Sequence, residues 1–143
     1  MSFFPSLGPD AAVRNAMTLN PDASRLLIAF HTAVLRGDSP LSASERELIA
    51  AYVSGLNACT YCHGVHAATA RAFGIDEALL ERLLEDETCA AAERRFQPLL
   101  RFVRKLTLTP SRMVKADAEA VFAAGWDERP CTTPSPQRPC STS

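Results

Sequence analysis

The sequence has no apolar run approaching the ~20 residues that a membrane-spanning helix needs. Its first ten residues contain neither a basic segment nor a continuous apolar segment of the kind found in signal peptides. We therefore expect a cytoplasmic protein. A net charge of only -1 argues against a surface that binds nucleic acid or an anionic membrane. Neither an internal repeat nor a glycine-rich phosphate loop is present.

The cysteine pattern also excludes a common architecture. Five cysteines in a chain that is not exported would be kept reduced, so a disulfide framework is not expected. A close pair in such a chain is typical of metal binding or redox chemistry, and Cys59 and Cys62 form such a pair. For Cys89, Cys131 and Cys140 we expect buried apolar thiols or idle surface thiols.

No segment shows sustained strand alternation, and helical start and stop signals recur along the chain. The predicted fold class is all-α, a small bundle of about six helices in one domain over residues 1–128. The predicted helices begin near Asn20, Ser42, Asn57, Asp76, Glu93 and Lys115. Gly37, Gly74 and Gly125 are the predicted ends of the first, third and last of these helices. Residues 129–143 contain four prolines and no aliphatic or aromatic residue, and this composition predicts a disordered tail.

Chemistry-bearing residues concentrate in one segment, Cys59-Thr60-Tyr61-Cys62-His63-Gly64-Val65-His66. It holds two of the five cysteines and two of the three histidines. On a helix, the two cysteines and His66 follow i, i+3, i+7 spacing and share one face. A helix N-terminus carries a partial positive charge, which favours thiolate and lowers a cysteine pKa from about 8.5. We predict a nucleophilic dithiol in the first turns of this helix.

A thiolate that attacks a peroxide needs a proton for the departing oxygen and a second thiol to convert sulfenic acid into disulfide. The two cysteines supply both sulfurs, and His66 is the candidate proton shuttle. Glu47, in an apolar part of the preceding helix, is the candidate carboxylate that orients this imidazole. Antiparallel packing of the two helices would bring them together. For His63, on the same face, we expect a solvated or capping role.

Three other interpretations of this segment explain its residues less well. Cys59-x-x-Cys62-His63 matches the c-type haem attachment signature, but that chemistry normally needs an exported chain and leaves Glu47 and His66 without a role. Two cysteines and two histidines on one helical face are poor geometry for tetrahedral zinc. Ordinary core cysteines with a surface ion pair would explain each residue separately but not their clustering. We therefore expect no metal and no cofactor.

The stretch Leu41-Ser42-Ala43-Ser44-Glu45-Arg46-Glu47-Leu48-Ile49-Ala50 precedes this segment. Together with the twelve-residue step from Glu47 to Cys59 and the pattern Cys59-x-x-Cys62-x-x-x-His66, it closely resembles the alkylhydroperoxidase D-like, peroxidase-related branch of the carboxymuconolactone decarboxylase family. The resemblance implies an all-helical fold assembled as trimers or hexamers. It further implies that Cys62 attacks a hydroperoxide, that Cys59 resolves the product, and that Glu47 and His66 relay protons.

The resemblance also implies a thioredoxin-like or lipoyl-linked dithiol as electron donor. The best-known branch has a second histidine where this chain has Tyr61, which cannot serve as the same base. Similarity runs from about Phe3 to Glu128, where relatives continue into one more apolar helix, so we expect that last helix to be missing. The alternative function, within the wider family, is a non-catalytic redox-sensing or binding protein.

Overall fold

The computed structural model describes residues 4–85 and 94–128 of the chain. Within these ranges the protein consists of α-helices and short 3₁₀ turns and contains no strand, so the predicted all-α class is confirmed. The predicted tail over residues 129–143 lies outside the described residues. The same holds for Cys89, Cys131 and Cys140.

Seven α-helices are described: α1 Val13–Ala16, α2 Pro21–Arg36, α3 Ala43–Leu56, α4 Thr60–Ala72, α5 Glu77–Glu85, α6 Phe96–Leu108 and α7 Lys115–Ala123. Two 3₁₀ turns, Met17–Leu19 and Pro110–Arg112, separate some of them and were not predicted. In the described part of the chain, no helix combines the length and apolarity that crossing a membrane requires. The chain divides into two compact units, one up to Gly37 and one from Asp38 onward.

The first unit is built around α2, whose limits were predicted. Asn20 caps the helix by accepting a hydrogen bond from the backbone N–H of Ala23 at 3.1 Å. Pro21 occupies the first helical position, where a missing N–H costs nothing. The helix ends at Gly37, which is its C-cap.

In the second unit, α3 begins as the sequence predicts. The Ser42 hydroxyl accepts from the Glu45 N–H at 3.2 Å, and the Glu45 carboxylate accepts from the Ser42 N–H at 2.7 Å. This reciprocal pair satisfies two of the backbone donors that a helix start leaves open. Arg95 donates to the same carboxylate at 3.1 Å and so connects the start of α3 to the chain just before α6.

The start of α4 differs from the prediction. Asn57 ends α3, and Cys59 takes the N-cap position of α4. Between them Ala58 adopts a left-handed conformation with φ of 54°, and its N–H donates to the Gly55 carbonyl at 2.9 Å. This single residue reverses the chain within a very short connection, which places Cys59 beyond the end of α3. At its other end α4 closes as predicted, because Gly74 has a φ of 91°.

Helix α6 begins later than predicted, at Phe96. Pro98 is its third residue and therefore lies in the first turn, where no intrahelical donor is needed. Trp126 packs its ring edge-on against Phe96 with centroids 6.0 Å apart, and its indole N–H donates to the Arg95 carbonyl at 2.7 Å. These contacts attach the segment after α7 to the beginning of α6.

The second unit has a continuous apolar core contributed by all of its helices and by Leu41 and Trp126. Its buried members are Leu41, Leu48, Ala51, Tyr52, Ala70, Leu80, Leu83, Phe96, Leu99, Leu100, Val121 and Trp126. One charged side chain, Glu47, is buried among the residues that the structure describes. Charged groups are rarely buried without a specific partner, so this residue points to the candidate site.

Candidate active site

Helices α3 and α4 form an antiparallel pair, and polar contacts between them recur at regular intervals. Each successive contact lies three or four residues earlier on α3 and three or four residues later on the Cys59–His66 segment. The contacts join Ser54 O to Cys59 N at 2.9 Å, Ala51 O to His63 Nδ1 at 2.8 Å, and Glu47 Oε2 to His66 Nδ1 at 2.7 Å. The predicted antiparallel packing therefore places both histidines and the first cysteine along one seam.

Cys59 and Cys62 are joined in a disulfide, with their Cα atoms 5.4 Å apart. The sulfur of Cys59 also accepts from the backbone N–H of Cys62 at 3.3 Å, so the Cys59 side chain caps the helix. The same N–H would stabilise a thiolate on Cys59 after reduction, together with the positive end of the helix dipole. Both cysteines are half-buried, which leaves the pair within reach of solvent.

Glu47 and His66 form the hydrogen bond that the sequence predicts, at 2.7 Å between Oε2 and Nδ1. The Glu47 side chain is 2% exposed and that of His66 is 18% exposed. A carboxylate at this depth is costly without a charge-assisted hydrogen bond, and the imidazole supplies one. Because a carboxylate only accepts, His66 donates from Nδ1, which leaves Nε2 as the nitrogen that can exchange protons.

His63 occupies a more defined place than the solvated or capping role expected for it. Its ring is half-buried, and Nδ1 lies 2.8 Å from the Ala51 carbonyl of α3. Gly55 makes this approach possible: a Cβ at that position would lie 3.3 Å from Nδ1 of His63 and 2.6 Å from Cδ2 of Leu84. The absence of a side chain at Gly55 lets α4 and α5 pack closely against α3 here.

Other aromatic side chains and the third histidine differ in their exposure. Tyr61, which stands where the best-known branch has a histidine, is 53% exposed. Tyr52 and Trp126 are buried in the core, whereas Phe73 is 47% exposed. His31 is exposed on α2 in the first unit. Across residues 4–85 and 94–128, no three histidine, cysteine or acidic side chains are grouped so that they could hold a metal ion.

Fold and site together define an all-helical protein with a Cys-x-x-Cys disulfide at a helix start and, one helical turn further on, a histidine hydrogen-bonded to a buried glutamate. The chain belongs to the carboxymuconolactone decarboxylase family, whose model matches residues 21–105. That match includes α2, α3 and α4, and with them all four residues predicted for the site.

Two crystal structures resemble this fold closely. One is of an uncharacterized peroxidase-related protein from Silicibacter sp. TM1040, with a TM-score of 0.75 and 31% identity, covering 82% of this chain and 62% of that one. The other is an alkylhydroperoxidase AhpD core, an uncharacterized peroxidase-related protein from Ralstonia eutropha JMP134. It has a TM-score of 0.73 and 27% identity, covering 80% of this chain and 60% of that one. The chain thus spans less than two thirds of either relative, and no curated protein matches it.

The contact between His63 and α3 was not predicted, although the sequence contains two signals for it. His63 lies four residues after Cys59, which is one helical turn. Gly55 is the second signal, because a glycine inside a helix often marks a close approach of another element. Neither signal identifies the Ala51 carbonyl as the partner, since that depends on the register between α3 and α4.

Proposed function

We propose that this protein is a thiol-dependent peroxidase that reduces organic hydroperoxides or hydrogen peroxide through a dithiol/disulfide cycle of Cys59 and Cys62. The observation that carries the proposal is the hydrogen bond from the half-buried His66 to the buried Glu47, one helical turn from Cys62. A structural disulfide needs no such pair, whereas peroxide reduction needs a group that holds and returns a proton. The peroxidase-related names of the two similar structures agree with this reading.

In the first step, His66 takes the proton of the Cys62 thiol at Nε2, and the Cys62 thiolate attacks the outer oxygen of the hydroperoxide. The O–O bond breaks, the alkoxide leaves with the proton held by His66, and Cys62 becomes a sulfenic acid. Glu47 stabilises the transient imidazolium through Nδ1 and keeps the ring in the required tautomer. The assignment of Cys62 as attacker and Cys59 as resolver rests on the family resemblance.

In the second step, the Cys59 sulfur attacks the Cys62 sulfur, the S–O bond breaks and water leaves. The product is the Cys59–Cys62 disulfide, which is the state that the structure contains. A dithiol donor of the thioredoxin-like or lipoyl-linked kind then returns two electrons and two protons and becomes a disulfide itself. We further propose that the protein works as a homo-oligomer, a trimer or hexamer, in the cytoplasm; multi-angle light scattering measures the mass of the assembly.

The test is an anaerobic titration of the fully reduced protein with cumene hydroperoxide, followed by thiol counting and peptide mass mapping. We expect one equivalent of peroxide to consume two thiols and to produce the Cys59–Cys62 disulfide, with Cys89 remaining reduced. Cys62→Ser is the matched control and should consume no peroxide during the titration. Oxidation that joins other cysteines, or no oxidation at all, would contradict the proposal.

The disulfide itself is equally consistent with a second function, a redox sensor that is oxidised once and then read by a partner. Turnover distinguishes the two. With excess dithiothreitol and excess peroxide, a peroxidase consumes many equivalents of peroxide per protein, whereas a sensor stops after a single oxidation.

A further inference from the structure

His63 is an ionisable side chain on the α3–α4 seam that the proposed mechanism does not use. Its Nδ1 lies 2.8 Å from a backbone carbonyl, and a carbonyl oxygen can only accept a hydrogen bond. The hydrogen therefore sits on Nδ1, and the neutral ring presents a lone pair at Nε2. His66 is held in the same way by Glu47, so both imidazoles have their Nδ1 anchored on α3 and their Nε2 available as a base.

Each imidazole follows one of the two cysteines at the same spacing along the chain. His66 follows Cys62 by four residues, and His63 follows Cys59 by four residues. Residues four apart on a helix are neighbours on its surface, with Cβ atoms about 5–6 Å apart. Helical bonding extends to the start of this turn, because the His63 N–H donates to the Cys59 carbonyl at 2.9 Å.

The surroundings of His63 are those of a half-buried side chain, which suits a role as a base. Near the ring, α3 contributes the Ala51 carbonyl and the backbone of Gly55, and α5 contributes the apolar end of Leu84. Gly55 has no side chain, and the space beside it is filled by the methyl groups of Leu84 and by the edge of the His63 ring. The ionisable groups within four residues of it along the chain are Cys59, Tyr61, Cys62 and His66.

We propose that His63 is the general base for Cys59, so that each sulfur of the pair has its own imidazole; this inference rests on the proposed peroxidase function. After Cys62 has become a sulfenic acid, Nε2 of His63 takes the proton of the Cys59 thiol. The Cys59 thiolate attacks the Cys62 sulfur, the S–S bond forms and the S–O bond breaks. The departing hydroxide takes up a proton and leaves as water, and His63 returns its proton to solvent.

The decisive variant is His63→Asn, because the asparagine amide nitrogen replaces Nδ1 and still donates to the Ala51 carbonyl while no base remains at the Nε2 position. The matched control is His66→Asn. Each is combined with Cys62→Ser, to leave Cys59 as the reactive thiol, and with Cys59→Ser, to leave Cys62. Alkylation by iodoacetamide at pH 7 is then followed at each cysteine by peptide mass.

We expect His63→Asn to slow alkylation of Cys59 about tenfold, the effect of one unit in a thiol pKa, and to change Cys62 much less. His66→Asn should show the reverse pattern. This measurement uses no peroxide, so it tests the pairing even if the proposed peroxidase function fails. Equal effects of the two variants on both cysteines would overturn the pairing.

The second measurement follows the reaction with cumene hydroperoxide in the full chain. His63→Asn should accumulate sulfenic acid on Cys62, trapped with dimedone, because its conversion to the disulfide slows by about 10²-fold, the lower range for a general base. Disulfide formation at the parent rate in His63→Asn would overturn the base role whatever the alkylation pattern. Absence of any sulfenic acid or disulfide in the unmodified protein would instead be a failure of the proposed function.

Discussion

At the scale of single residues, the site depends on where polar groups are buried. Glu47 was predictable because a glutamate among leucine, isoleucine and alanine on a helix must either face solvent or have a partner, and a histidine at the right distance along the next helix offered one. Its burial and its bond to His66 agree with that reasoning. The contact of His63 was not predictable, because its partner is a backbone carbonyl, and every residue has one.

Replacement of Glu47 tests the proton relay. Glu47→Gln preserves the size of the side chain and an oxygen that accepts from His66 Nδ1, but it removes the charge that stabilises the imidazolium. We expect normal folding and a loss of about 10²-fold or more in peroxidase rate, the usual range for general acid–base contributions. Stopped-flow peroxide consumption measures this rate.

The control is Glu45→Gln on the same helix. Glu45 belongs to the capping box of α3 and contacts Arg95, so its replacement should leave the peroxidase rate within about twofold. If Glu47→Gln turned over peroxide at the parent rate with an unchanged pH profile, Glu47 would be a structural residue and would take no part in the proton relay.

The order of attack is a second test at this scale. In Cys59→Ser, peroxide should leave a trapped sulfenic acid on Cys62, because the attacking thiol remains and the resolving thiol is gone. Cys62→Ser should abolish rapid peroxide consumption. Equal residual rates in the two variants would show that the roles of the two cysteines have been assigned wrongly.

At the scale of helices, the limits that were predicted correctly are those marked by local chemistry. Asn20 with Pro21, Ser42 with Glu45, and Gly74 act on the backbone within a few residues, so the sequence alone reveals them. The start of α4 was misplaced by contrast, because the left-handed conformation of Ala58 carries no sequence signal. Alanine rarely adopts this conformation, and here it is accompanied by hydrogen bonds from the Ala58 and Cys59 N–H groups to carbonyls near the end of α3.

The cap of α3 matters because this helix carries Glu47, Ala51 and Gly55. Ser42→Ala removes the acceptor for the Glu45 N–H, and we expect a loss of about 1 kcal/mol in unfolding free energy, typical of an N-cap. Urea denaturation measures this change. Ser42→Asp, which restores a capping oxygen, should recover most of it; if it recovers none, the serine contributes through something other than capping.

The ion pair between α6 and α7 predicts that the stability of the fold depends on pH. Lys105 donates to both oxygens of Asp117 at 2.9 and 2.7 Å, and the Val114 N–H donates to the same carboxylate at 2.8 Å. The hydrogen bond from Lys105 is the largest cause that holds the pKa of Asp117 below its ordinary value, followed by that from Val114. Because the folded pKa is depressed, the stabilisation is complete above the unfolded value of about 3.9 and is lost as the pH falls through the folded value.

Asp117→Asn should therefore lower the thermal midpoint at neutral pH, and the difference from the parent should shrink as the pH falls below about 4. Calorimetry across this range measures it. Glu119→Gln is the control on the same helix, since the Lys115–Glu119 pair is largely exposed and should contribute little. A difference between Asp117→Asn and the parent that stays constant down to the lowest pH would contradict the linkage.

At the scale of the whole molecule, the distribution of the core explains why the fold class could be predicted although its details could not. Helical periodicity identifies which residues face inward, and Leu48, Tyr52, Leu80, Leu83, Leu99 and Leu100 all do. The sequence does not reveal which helices pair, so the proximity of α5 to the α3–α4 seam through Leu84 and Gly55 became apparent only in three dimensions.

All the buried apolar residues of the described chain lie between Leu41 and Trp126, and none lies in the unit that ends at Gly37. The contacts of the candidate site join α3 and α4 and so belong entirely to the second unit. Since buried apolar area is the main source of stability, a fragment comprising residues 38–143 should retain a cooperative unfolding transition.

The same fragment should form the Cys59–Cys62 disulfide. We expect a sigmoidal urea curve and, after mild oxidation, the same disulfide peptide as in the full chain. A full chain in which Leu100 is replaced by Ala is the contrasting control: Leu100 is fully buried, and its truncation should cost about 2–5 kcal/mol even though both units are present. If residues 38–143 instead unfolded without cooperativity while Leu100→Ala remained stable, the second unit would not fold independently.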